Sequence, residues 1–196
     1  MKGIVKGLAV AGLGLALVAK PAHAQKPGVE LGVNLVGFAA INPDGDDNNA
    51  TVMNIGAASI GGAAPSAGSA VTAAWYLNEM IAIEPALGFG RLKLEADDDA
   101  TTFMSLSVGV PIYLKKGWGK AGGLFVTPFV GMIRATAGGA DAISQTHLGA
   151  NVGTKMGLSD NVFWRVQVGF DMGQENDDFA KSTTIGGQFG LNVYLH

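Results

Sequence analysis

The chain has 196 residues, a formal net charge of −3 at pH 7, 48% hydrophobic residues, 15% charged residues and no cysteine. The length suits one domain, and the lack of cysteine excludes disulfides, thiolate metal sites and cysteine nucleophiles. No apolar run of about 20 residues follows the first 24 positions, which excludes a helical membrane protein. Thirty glycines and recurrent two-residue alternation favour an all-β fold instead.

The N-terminal segment has the three parts of an export signal. Lys2 and Lys6 form a basic region, residues 7–19 form an apolar core, and Ala-His-Ala at 22–24 fits a small-residue cleavage pattern. We therefore expect residues 1–24 to be a cleaved signal peptide and residues 25–196 to form the mature domain. Removing Lys2, Lys6 and Lys20 leaves 10 basic and 16 acidic residues, and this acidic balance argues against nucleic acid as a partner.

Eight segments with period-two alternation follow, and each predicts a β-strand. Their approximate bounds are 29–41, 68–77, 81–92, 102–114, 124–135, 143–157, 162–173 and 182–195. Residues 51–60 are a weaker strand-like piece, which we expect to extend a hairpin above the main sheet. Short turns alternate with polar loops between the segments. This order predicts an up-and-down meander, and we refer to the end with the short turns as the lower end.

The two faces of the predicted strands differ in chemistry. One parity carries large apolar residues in continuous rows, as at Trp164, Val166, Val168 and Phe170, and the other carries Gly, Ser, Asn and Gln. A membrane barrel turns its apolar face to lipid and its polar face to the lumen, and it must close to satisfy its backbone. We therefore predict an all-β, eight-stranded antiparallel up-and-down transmembrane β-barrel. The alternative is a soluble exported barrel, lipocalin-like, with its apolar side chains inside around a ligand.

Four charged residues share the inward parity near the lower strand ends, namely Glu30, Glu84, Lys155 and Arg165. At about 3.3 Å per residue they fall in one layer of the lumen. Two acids and two bases can neutralise each other there, whereas an unpaired charge would be costly. We predict an ion-pair network that closes the lower lumen, with Arg165 as its hub because a guanidinium can serve two carboxylates. The alternatives are separately hydrated charges and a narrow passive pore for small solutes.

Several other residues have a predicted place in this scheme. Trp75 and Trp164 lie on the outward parity near short turns and suit a lower aromatic girdle. Pro85, Pro111 and Pro128 lie inside strands and cannot donate to the ladder, so we expect bulges or local bends there. Segment 124–135 is apolar on both parities, which leaves its facing open.

The sequence contains no catalytic pattern and implies no cofactor. His147 shares its parity with Gln145 and Gly149, while Ser144 has the opposite parity, so we interpret His147 as a hydrated lumen histidine and expect no enzyme. Two acidic loop runs are weak candidates for calcium or magnesium, because they lack EF-hand spacing, and solvated loop tips are the alternative. Their residues are Asp44, Asp46, Asp47, Asp97, Asp98 and Asp99.

In their order, the export signal, the alternating strands, the hairpin YLNEMIAIEPALGFG at 76–90 and the final strand resemble the small outer-membrane β-barrels of the OmpA transmembrane-domain and OmpX type. The resemblance covers the mature chain and implies a monomer in the bacterial outer membrane, in contact with lipids and lipopolysaccharide. It implies a structural or surface-interaction role with a surface partner that the sequence does not identify. It also implies recognition of the last strand by the barrel-assembly machinery, through Gln188, Gly190, Val193 and Leu195.

Overall fold

The computed structural model describes residues 28–43, 50–55, 71–92, 101–114, 123–136, 141–175 and 181–195. The predicted export signal and the six loop aspartates lie outside these residues. The described part of the chain contains no helix long and apolar enough to cross a membrane.

Within these ranges the chain forms strand segments of one sheet. They are β1 (Val29–Pro43), β2 (Ala50–Ile55), β3 (Val71–Tyr76), β4 (Ala82–Leu92), β5 (Thr101–Gly109), β6 (Ile112–Tyr113), β7 (Leu124–Thr136), β8 (Ile143–Gly157), β9 (Val162–Gly173) and β10 (Ser182–Leu195). The alternation of apolar and polar or small residues in these segments suits a wall whose two faces meet different surroundings.

The sheet closes on itself because β1 pairs with β10, and every pairing is antiparallel. β2 and β3 pair with the upper and lower parts of β1 and share the second position in the wall, while β5 and β6 both pair with β7 and share the fourth. The segments therefore occupy eight positions. The fold is a closed, eight-stranded, antiparallel up-and-down barrel, which confirms the predicted fold class. Residues 51–55 of the predicted piece at 51–60 lie in β2, which pairs with β1 in the wall and does not rise above it, while 56–60 lie outside the described residues.

Side chains alternate between the lumen and the outer surface. In β9, Arg165, Gln167 and Asp171 are buried inside the barrel, whereas Val166, Val168 and Phe170 are exposed outside it. In β7 the structure decides the facing that the sequence left open. Phe125, Phe129 and Ile133 point inward, whereas Pro128 and Arg134 point outward. The Phe125 and Phe129 ring tips lie over Gly153 and Gly149 of β8, where any Cβ would meet them, so β7 has room for its aromatic side chains inside.

The prolines introduce no bulge, but two of the three interrupt the wall locally. The β3–β4 ladder omits Ala73 and Ala74, which lie opposite Pro85 and Glu84. The strand registers on both sides of Pro85, Pro111 and Pro128 are unshifted, although Pro111 separates β5 from β6. The proline carbonyls keep their place in the ladder, since Ala82 N–H donates to Pro111 O at 3.1 Å and Val110 N–H donates to Pro128 O at 3.0 Å. A register shift lies instead in β1, between Asn34 and Val36. At this point β1 has one residue more than β10, Leu35. The residues of β1 after it therefore face the opposite side from the one that strict alternation predicts.

Candidate functional site: the charged lower lumen

The lower end of the barrel holds the two chain ends of the wall and the short turns at 77–80 and 158–161. The lumen at this end contains charged, amide and aromatic side chains that are almost fully buried. They form two hydrogen-bonded groups, which we name the Glu30 tier and the Arg165 tier.

The Glu30 tier consists of Glu30, Tyr76, Lys155 and Asn192, from four different strands. The Lys155 ammonium lies 2.5 Å from Glu30 Oε1 and 2.7 Å from Oε2. The Tyr76 hydroxyl donates to Glu30 Oε2 at 2.7 Å and accepts from Lys155 Nζ at 2.8 Å, and Asn192 Nδ2 donates to Glu30 Oε1 at 2.5 Å. The carboxylate of Glu30 is 0% exposed and receives hydrogen bonds from three side chains. It is therefore a fully paired buried charge.

The Arg165 tier consists of Arg165, Glu84, Gln167 and Gln188. Arg165 Nη1 and Nη2 bind the two Glu84 oxygens at 2.5 and 2.9 Å, which is the bidentate geometry favoured by guanidinium and carboxylate. Arg165 Nε donates to Gln167 Oε1 at 2.9 Å, and Gln167 Nε2 donates to Gln188 Oε1 at 2.8 Å. The tier thus runs from β4 across the lumen to β9 and then to β10.

The four charged residues singled out in the sequence therefore lie together, but as two ion pairs. Arg165 contacts one carboxylate, so the prediction that Arg165 would join two carboxylates is wrong. β4 and β9 stand on opposite sides of the eight-position wall, and the guanidinium uses both its outer nitrogens to reach Glu84. Glu30 is the residue that joins several strands.

Aromatic rings complete the lower lumen. The Lys155 ammonium lies 4.8 Å from the Tyr113 ring centroid, and the Arg165 guanidinium carbon lies 4.7 Å from that of Phe125, both within cation–π range. The sequence reasoning missed Tyr76, Tyr113 and Asn192 as members of the site. Their inward parity at the lower strand ends was the available signal, but it gave no indication of which charge each would contact.

A separate buried pair lies higher in the lumen. His147 Nδ1 is 2.6 Å from Asp171 Oδ1, and the two side chains are 3% and 0% exposed. The expectation of a hydrated histidine is thus replaced by a histidine bound to a carboxylate on the neighbouring strand. Both residues had inward parity in the sequence, and Gly149 leaves room for Asp171, whose Cβ lies 2.6 Å from the position of a Cβ at residue 149. The part of the chain that the structure describes holds no group of three or more His, Asp or Glu side chains suited to a metal ion.

The remaining predicted residues lie on the faces that alternation assigns. Trp75 is 47% exposed on the outside, and Trp164 stacks on Phe189 with ring centroids 4.8 Å apart. Gln188 and Gly190 point inward, whereas Val193 and Leu195 point outward. Their roles in a lower girdle and in assembly stay predictions.

No family model and no curated protein matches this sequence. Among solved structures, the chain is similar to Ail, the attachment invasion locus protein of Yersinia pestis, solved in complex with the heparin analogue sucrose octasulfate. The identity is 13% and the TM-score 0.52, over 87% of this chain and 100% of that one. It is also similar to Neisserial surface protein A, at 11% identity and a TM-score of 0.56, over 85% of this chain and 95% of that one. At these identities the likeness concerns the fold, which is that of small outer-membrane β-barrels.

Proposed function

Since this chain has the fold of small outer-membrane β-barrels, we propose that it is an integral protein of the bacterial outer membrane with a structural or surface-interaction role and a lumen closed by its own side chains. The observation that carries the proposal is the polarity of the wall. Its two ion pairs lie inside and its outer surface is apolar, with the outward Arg134 near the upper end of β7.

The outer surface has the composition of a lipid-facing wall. Large hydrophobic side chains are exposed on all sides, as at Phe89, Val168 and Leu106, which are 58%, 56% and 50% exposed. A soluble monomer rarely exposes so continuous an apolar surface. A soluble ligand-binding barrel would also place these side chains inside, where this barrel has Glu30, Lys155 and their partners. The polarity therefore favours the membrane barrel over the lipocalin-like alternative.

The lower lumen supports a closed barrel over a passive pore. An eight-stranded barrel is only wide enough for its side chains to fill. Here two ion pairs cross the interior, and the adjoining Tyr113, Phe125 and Phe163 are at most 1% exposed. In planar bilayers the purified barrel is expected to give no discrete channels. Regular single-channel steps at neutral pH would contradict occlusion and favour the narrow pore.

Membrane residence has a direct test of its own. We expect the expressed chain to fractionate with outer membranes and to change its gel mobility on boiling, because a folded barrel resists the detergent until it is heated. A chain recovered in the soluble periplasmic fraction without this mobility change would contradict the proposal.

The surface-interaction role rests on the fold and on the loops at the upper end. The similar Ail structure contains a sulfated heparin analogue. In this chain the sequence between β1 and β2 carries Asp44, Asp46 and Asp47, and the sequence between β4 and β5 carries Asp97, Asp98 and Asp99. Their charges would repel a sulfated polyanion. We therefore propose a neutral or cationic surface partner. A deletion strain tested for adhesion and for envelope integrity separates the two roles, since loss of integrity alone favours the structural one.

A further inference from the structure

The lower ion pairs join two halves of the barrel that are far apart in the sequence. We call β1 to β6 the first half and β7 to β10 the second half. Both carboxylates belong to the first half, Glu30 on β1 and Glu84 on β4, and both cations belong to the second half, Lys155 on β8 and Arg165 on β9. The sequence separations are 125 residues for Lys155–Glu30 and 81 residues for Arg165–Glu84. Each half therefore carries two lower-lumen charges of one sign, and these are neutralised only when the halves meet.

The first half of the wall is also the less continuous half. β3 has 6 residues, and its ladder with β4 pairs at both ends but omits the two central residues of β3. β1 changes its partner from β3 to β2 along its length, and its register with β10 shifts between Asn34 and Val36. By contrast β8 and β9, of 15 and 12 residues, pair without a register shift.

We propose that these segregated charges are a closure lock, which holds the short, interrupted strands of the first half against the second half and keeps the β1–β10 seam closed. Glu30 is placed for this role because it binds Lys155 across the lumen, Tyr76 on β3 and, diagonally across the seam, Asn192 on β10. Glu84 holds β4 to β9 in the same way. The lock is independent of occlusion, since it would act whether or not ions can pass the lumen.

The His147–Asp171 pair supplies an internal control. It is also a buried hydrogen bond between charged or chargeable groups, at 2.6 Å, but it joins neighbouring strands of the second half. A closure lock predicts that its loss leaves the first half undisturbed.

Amide hydrogen exchange on the refolded barrel in lipid measures the opening of each strand separately. In Glu84→Gln and Glu30→Gln we expect the amides of β1, β3 and β4 to exchange roughly 150- to 5,000-fold faster, the factor that loss of one partner of a buried ion pair implies, with a smaller change in the β8–β9 ladder. In Asp171→Asn the exchange of β3 and β4 should stay as in wild type. Uniform acceleration over all strands, or none in β3, would overturn the proposal.

A charge exchange tests the lock without relying on the single variants. In Glu84→Arg combined with Arg165→Glu, each half keeps one native lower-lumen charge and the pair is restored with opposite polarity. In this double variant the amide hydrogen exchange rates of β3 and β4 should return to within about tenfold of wild type. In Glu84→Arg alone the barrel should fail to close. If Glu84→Gln does not fold, folding of the double variant still supports the lock. A double variant as open as the single one, or unfolded, would overturn it.

Discussion

Lys155→Met isolates the contribution of one buried ammonium to the barrel. Methionine keeps the length of the side chain except for its terminal atom and suits the Tyr76 and Tyr113 rings, so the change removes the charge with little loss of packing. The Glu30 carboxylate would keep Tyr76 and Asn192 as donors but lose its cation at 2.5 Å while 0% exposed. Breaking a buried pair in this way costs about 3–5 kcal/mol of unfolding free energy. For a urea m-value of about 2 kcal/mol/M, the unfolding midpoint would fall by about 2 M.

The assay is urea unfolding of the barrel in lipid vesicles, followed by gel mobility and tryptophan fluorescence. Lys181→Met, at an exposed lysine beside the upper end of β10, is the control for loss of an exposed ammonium and should change stability by no more than about 1 kcal/mol. The double variant Lys155→Met with Glu30→Gln should recover most of the loss, because no unpaired charge then remains. A Lys155→Met loss below about 1 kcal/mol would refute the reasoning and favour separately hydrated charges.

Two further predictions address the lumen packing and the outer surface. Gly153→Ala should destabilise the barrel by about 1–3 kcal/mol in the same urea assay, since the new Cβ would meet the Phe125 ring and the Val166 carbonyl; unchanged stability would mean that the lumen is loosely filled. The sequence has a third tryptophan, Trp118, which a Trp118→Phe background removes. In that background the emission of Trp75 and Trp164 should be blue-shifted in bilayers and quenched by brominated lipids, because both indoles lie on the outer face. Emission near that of tryptophan in water, without quenching, would place them outside the bilayer.

Alternation in the sequence was sufficient to predict the number of wall positions and the facing of most residues. A strand has a strict two-residue period, so the parity of Glu84, Lys155 and Arg165 within their strands determined that all three face the lumen. The sequence also placed these three residues near the lower end of the barrel, because each lies close to a short turn and the short turns mark that end.

The sequence could not predict where the parity fails or which side chains meet. The register shift between Asn34 and Val36 leaves no composition signal, and it turns Val36 outward and Gly37 inward, against the predicted order. The pairing of Arg165 with Glu84 alone depends on their positions on opposite sides of the closed wall. Such distances follow from closure and register, which one strand's pattern does not contain.

The partnership of His147 with Asp171 escaped prediction for a related reason. The register places Asp171 opposite Gly149, two residues along β8 from His147, so the contact is diagonal. A histidine and a carboxylate on neighbouring strands have many possible offsets, and the sequence does not select among them.

The central claim, that the apolar surface of this barrel faces lipid, is tested most directly by one substitution on the outer wall. Val168 lies midway along β9 and is 56% exposed. Val168→Arg should cost about 2–4 kcal/mol of unfolding free energy in bilayers, whereas Leu158→Arg, at the exposed turn after β8, should cost about 0–1 kcal/mol. A Val168→Arg barrel as stable as wild type in bilayers would mean that this face meets water and would contradict the account.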